Sequence, residues 1–71
     1  MDTLQKRLKV ARITAEMTQK QLAEKAGVSR ATIAMLETDE GRDVRGETLV
    51  KIATALCVTP GELLGMVEHA N

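Results

Sequence analysis

Residues 18–37 read TQKQLAEKAGVSRATIAMLE, two helical periods separated by a single glycine, and this spacing limits the fold more than any other feature. Thr18, with Gln21 three positions on, has the arrangement of a capping box, which predicts a helix over 19–26. Gly27 follows the last periodic residue, where a left-handed backbone commonly closes a helix. Val28 is apolar and Ser29 is a good N-cap, so a further helix is predicted over 30–37, burying Ile33 and Leu36. Joined by about three residues, the two helices can form an antiparallel hairpin or a steeply crossed helix-turn-helix. Residue sizes favour the second. Ala23 leaves room for a close crossing, Gly27 permits the sharp turn and Ile33 fills the angle, whereas a hairpin needs none of these in register.

The flanks extend the helical pattern. Leu4, Leu8 and Ala11 mark a first amphipathic helix over about 2–15, and Leu49, Ile52, Ala53 and Leu56 mark a fourth over 47–56. Thr59-Pro60-Gly61-Glu62 combines an N-cap, a proline at the first helical position and an early acid, opening a fifth helix over 60–67. TDEGRDVRG, from Thr38 to Gly46, has no apolar period and is predicted to be an exposed loop. No repeat or linker interrupts the pattern, so residues 1–71 are expected to form one all-α domain of five helices.

Composition narrows the function. A chain of 71 residues has no room for a second core and little surface to wall a catalytic pocket, so no enzyme is expected. Without Phe, Tyr or Trp the core must be built of Leu, Ile, Val, Ala and Met, and single-stranded nucleic acid would find no stacking platform. One cysteine, Cys57, and one histidine, His69, cannot form a disulfide or complete a metal shell, so no metal or other cofactor is expected. Cys57 is expected to be a small buried group and His69 a solvated tail residue, with Glu62 and Glu68 as helix-surface charges. The charged first fifteen residues contain neither a signal peptide nor a membrane span, which makes the cytoplasm the expected compartment and excludes a membrane partner. Zero net charge conceals an asymmetry: residues 1–36 hold seven Lys/Arg against three acids, and residues 37–71 hold three against seven. A basic first half suits a polyanion if its cations share a face.

The stretch TQKQLAEKAGVSRATIAMLE resembles the helix-turn-helix of the Cro and lambda-repressor-type (XRE family) transcription factors. Leu8 to Arg12 is similar to the family's first helix, and TLVKIATALCVTPGELL, Thr48 to Leu64, to its last two. The resemblance implies a five-helix lambda-repressor-like domain in which helices 2 and 3 form the DNA-binding motif, helix 3 entering the major groove. Ser29, Arg30, Ala31, Thr32 and Met35 would then face base edges. Arg30 could bond a guanine twice, while Ala31 and the Thr32 methyl could touch a thymine methyl. Gln19 stands where the family anchors a phosphate at a helix N-terminus, and Lys6, Lys20, Arg42 and Arg45 are further phosphate candidates. Arg12 and Glu37 stand where the family places a partly buried structural ion pair.

Three positions depart from the family pattern. Glu16 and Cys57 occupy places where glycine is common, so a left-handed backbone there would be strained. Asp39, Glu40 and Asp43 surround Arg42 in a loop that is often basic and should repel phosphates. The resemblance implies a sequence-specific regulator, most simply a repressor or a restriction-modification controller, binding an inverted-repeat operator in double-stranded DNA as a homodimer. Two-fold pairing places recognition helices about 34 Å apart, one turn of DNA. Val50, Met66 and Val67 are the apolar candidates for that dimer interface, and no small-molecule ligand is expected. The competing expectation is an antitoxin or other protein-interaction module on the same fold, which the neutral total charge and acidic loop favour.

Overall fold

Three joints of one design connect most of the five helices, α1 (Leu4–Thr14), α2 (Gln19–Ala26), α3 (Arg30–Thr38), α4 (Gly46–Ala55) and α5 (Pro60–Leu64). The structure, a computed structural model, describes residues 3–38 and 44–65. Each joint is a left-handed residue, then an apolar residue, then a hydroxyl residue: Glu16-Met17-Thr18, Gly27-Val28-Ser29 and Cys57-Val58-Thr59. The first residue takes a φ of 61°, 76° and 60° respectively, which reverses the chain. The amide of the second then donates back into the helix it has left, Met17 to the Arg12 carbonyl at 3.1 Å, Val28 to Ala23 at 3.0 Å and Val58 to Ala53 at 3.0 Å. Met17, Val28 and Val58 also pack against the core, so each joint is held by a hydrogen bond and an apolar contact together.

The hydroxyl residue opens the next helix. Thr18 Oγ1 accepts from the Gln21 amide at 3.0 Å, Ser29 Oγ from the Thr32 amide at 3.0 Å and Thr59 Oγ1 from the Glu62 amide at 3.1 Å. Gln21 and Glu62 return the bond to the amides of Thr18 and Thr59, completing capping boxes at α2 and α5.

Glycine at the left-handed position is free of steric cost only in the α2–α3 joint. Open space surrounds the Cα of Gly27, so its need for glycine is the backbone angle alone. Glu16 and Cys57 keep the left-handed turn despite their side chains, because the bond and the apolar contact that follow over-determine it. Cys57 is exposed, contrary to the expectation of burial: the reversal turns it to solvent while Leu56 and Val58 supply the apolar groups on either side. Left-handed backbone costs an L-residue about 1–2 kcal/mol, and glycine returns roughly 0.5–1 of that as unfolded-chain entropy. Glu16→Gly should therefore raise stability by about 0.5–1 kcal/mol in urea titration; a loss of stability would mean that the Glu16 side chain itself supports the turn.

Leu8, Leu22, Ile33 and Ile52 are the fully buried centre, with Ala23, Ala26, Leu36, Leu49, Ala53, Ala55, Leu56 and Leu63 around them. α2 crosses α3 and packs on α4, while α1 lies on α3 and α5, and α4 also meets α5. Ala23 on α2 is 3% exposed, a small side chain within the buried core that α2 shares with its neighbours. Helix α1 begins at Leu4 with Thr3 as its N-cap, two residues later than the sequence suggests. Helix α5 ends at Leu64, short of the expected Val67, because Gly65 turns left-handed with a φ of 74°. The Arg7 guanidinium lies where a Cβ on Gly65 would sit, but its flexible end can move aside, so it is the left-handed backbone that favours glycine there.

Among the described residues two buried positions break the apolar pattern, Glu37, which is paired with Arg12, and Gln5. Gln5 is 3% exposed, and no hydrogen bond from a described residue reaches its side-chain amide. A buried amide without a partner costs about 1–3 kcal/mol. Replacing it by the similarly shaped methionine should raise the urea midpoint by the equivalent of about 1 kcal/mol, whereas a lower midpoint would show that the amide is hydrogen-bonded in solution.

Candidate nucleic-acid interface

Helix α3 divides cleanly into two faces. Ile33, Leu36 and Glu37 turn inward, while Arg30, Ala31 and Met35 are exposed and Thr32 is half-buried at the start of the same outer face. Met35 is 43% exposed, a large apolar side chain with no core role. Ser29 Oγ lies 2.8 Å from Thr32 Oγ1 while also capping the helix. One of the two hydroxyl protons serves the mutual bond, so this pair retains a single donor to offer outward.

Arg30 is the first residue of α3, where the helix dipole is positive and a cation is unfavourable by about 0.3–1 kcal/mol. No acid offsets it in the first turn of α3, nor is there one in the first turn of α1 or α2. Helices α4 and α5 do carry such an acid, Glu47 and Glu62. Helices α1, α2 and α3 thus hold no acid in their first turns, whereas α4 and α5 each hold one. Lys6 and Lys20 are exposed in the first turns of α1 and α2, adding charge of the same sign.

Arg12, Gln19 and Glu37 converge behind this face. Arg12 Nε donates to Glu37 Oε2 at 2.6 Å and Nη2 to Oε1 at 3.1 Å, a bidentate pair with side-chain exposures of 12% and 2%. Arg12 Nη1 also donates to the Met17 carbonyl at 2.7 Å, binding the first joint. Gln19 Nε2 donates to Glu37 Oε1 at 3.1 Å, so the amide expected at a phosphate is already held by the end of α3. The cap of α2 is made by Thr18 and Gln21, which leaves Gln19 free of that duty.

The remaining candidates fall in several places. Arg45 is exposed at the N-cap of α4, where its side chain makes no capping bond. Val50 is 51% exposed on α4, and Leu64, which the sequence pattern does not single out, is 39% exposed at the end of α5. Arg42, Met66, Val67, Glu68 and His69, together with Asp39, Glu40 and Asp43, lie outside the described residues. Among the described residues no group of three or more potential metal ligands occurs. No described helix is long and apolar enough to cross a membrane.

Comparison with known proteins agrees with this geometry. The P22 c2 repressor protein, solved in complex with a synthetic operator, superposes with a TM-score of 0.83 at 25% identity, over 94% of this chain and 100% of that one. The restriction-modification controller protein C.AhdI from Aeromonas hydrophila gives 0.80 at 31% identity, over 86% and 91%. The SinR protein, solved in complex with the SinI protein, gives 0.82 at 27% identity, over 87% of this chain and 60% of that one. Residues 7–69 match the Cro/C1-type HTH DNA-binding domain family. With the helix-turn-helix formed by α2 and α3 and the match covering most of its length, the chain belongs to the Cro/C1-type helix-turn-helix family and is a DNA-binding transcription regulator.

Proposed function

We propose that this protein is a sequence-specific repressor-like regulator that binds an inverted-repeat operator in double-stranded DNA as a homodimer, with α3 of each protomer in a major groove. The observation that carries this reading is Arg30, exposed on the first turn of a helix that holds no acid in that turn. Such a placement opposes local helix stability and suits a group that meets a guanine edge beside phosphates. Ser29, Ala31, Thr32 and Met35 complete the base-reading face, and Gln19, Lys20, Lys6, Arg42 and Arg45 are the phosphate contacts. Pairing through Val50, with Met66 and Val67, supplies the second half-site, since one such helix buries too little for specific affinity.

Selection of bound duplexes from a random pool, repeated at two salt concentrations, tests the reading. An enriched inverted repeat whose affinity falls steeply with salt is the expected outcome. No enrichment at concentrations that dimerise the protein would overturn it.

A second reading is favoured by one specific observation: SinR is similar in structure and was solved with a protein partner. On that reading the chain is an antitoxin-like or other protein-interaction module. The exposed Val10 and Ile13 on α1, 57% and 55% accessible, are the apolar groups such a partner would cover.

A further inference from the structure

The ion pair of Arg12 and Glu37 needs only its two members, yet a third group is attached to it. Glu37 Oε1 accepts from Arg12 Nη2 and from Gln19 Nε2, both at 3.1 Å. The carboxylate is nearly inaccessible, with 2% side-chain exposure, so the position of its oxygens is set by the packing of α3 and by the guanidinium. Gln19 is the first residue of α2, and the amides of the first helical turn there face outward with the amide of Gln21 already satisfied by Thr18. A glutamine at such a place ordinarily samples many rotamers. Here one of its two amide protons is committed to a buried anion, which leaves the other as the single donor it can present.

We infer that Glu37 is a positioning residue for DNA binding: held by Arg12, it orients the Gln19 amide so that its remaining N–H meets a backbone phosphate at the α2 N-terminus. The inference rests on the DNA-binding reading proposed above and assigns to the ion pair a task beyond holding helices together. The expected effect of its loss is opposite in sign to simple electrostatics. Removing a negative charge from a DNA-binding protein should strengthen its attraction for DNA. Removing this one should weaken binding, because the amide it orients is released.

The experiment measures affinity for the selected operator with the full chain as wild type, Gln19→Ala, Glu37→Gln and the double variant, at a temperature where circular dichroism shows each to be folded. Gln19→Ala is expected to weaken binding about tenfold per half-site, the loss of a hydrogen bond to a charged group. Glu37→Gln should weaken it by about fivefold, and the double variant should be no weaker than Gln19→Ala alone. Unchanged or tighter binding by Glu37→Gln, or losses that simply add, would overturn the inference while leaving the DNA-binding reading intact. If the wild type enriches no operator at all, both fall. Should Glu37→Gln not fold, the wild-type side-chain amide protons of Gln19 decide by NMR. One Hε2 proton displaced from the free-amide position and protected from solvent exchange, with the other shifting strongly on adding operator, is expected; two protons at free-amide positions that exchange as fast as those of a free glutamine would overturn the inference.

Discussion

Arg12→Ala is expected to lower the thermal midpoint by about 15–30 °C, enough to leave part of the population unfolded at ordinary temperature. The change removes the partner of a carboxylate whose side chain is 2% exposed, and breaking such a pair from one side costs about 3–5 kcal/mol. A domain of 71 residues has roughly 4–10 kcal/mol of total stability to lose. The damage extends beyond the charge. Arg12 also bonds the Met17 carbonyl, so the α1–α2 joint loses its side-chain support at the same time. Replacing both partners by methionine should cost less than the single change, because no buried charge is then left alone. Thermal melts of the single and double variants check this. A loss below about 1 kcal/mol for Arg12→Ala would mean that water reaches Glu37 and that the pair behaves like a surface contact.

Arg30→Ala carries the largest expected effect on recognition, and its signature has two parts of opposite sign. Binding to the selected operator should weaken by about 1–3 kcal/mol per half-site, with preference relaxed at one base position. Folding stability should rise by about 0.3–1 kcal/mol, since a cation is removed from the positive end of α3. A residue that only packs would lose on both counts. Lys20→Ala is the useful contrast: under the proposed phosphate role it is expected to weaken binding to all sequences alike and to reduce the salt dependence by about one unit. Equal weakening by Arg30→Ala on operator and on random duplex would remove the base-reading role.

The helices are legible where sequence chemistry and geometry coincide. Thr18 and Gln21, Gly27, Ser29 and the Thr59–Glu62 run each announce a helix end, because capping depends on residues adjacent in the chain. The left-handed turns at Glu16 and Cys57 are legible only as a conflict, since intrinsic preference argues against them. The signal that resolves the conflict is the apolar-hydroxyl pair that follows each, Met17-Thr18 and Val58-Thr59, matching Val28-Ser29 after the glycine. Exposure of Cys57 follows from that turn and cannot be read from its side chain. Burial of Gln5 and the bond from Gln19 to Glu37 have no local signal, because both depend on which helix faces lie together in three dimensions. On the candidate site, the pattern separates the inward Ile33 and Leu36 from the outward Arg30, Ala31 and Met35.

The three matching joints bear on how quickly this chain finds its structure. Each sets the exit from one helix and the entry to the next through hydrogen bonds spanning three to five residues, before any distant part of the chain must arrive. Loop closure then consumes little entropy, and a rate typical of small helical domains, in the microsecond to millisecond range, is expected. Packing of α4 on α2 and of α5 on α1 joins segments distant in the chain, so this docking is expected to be the slowest event in refolding, with substitutions at Leu49 and Ile52 showing in the folding rate more than those in the joints.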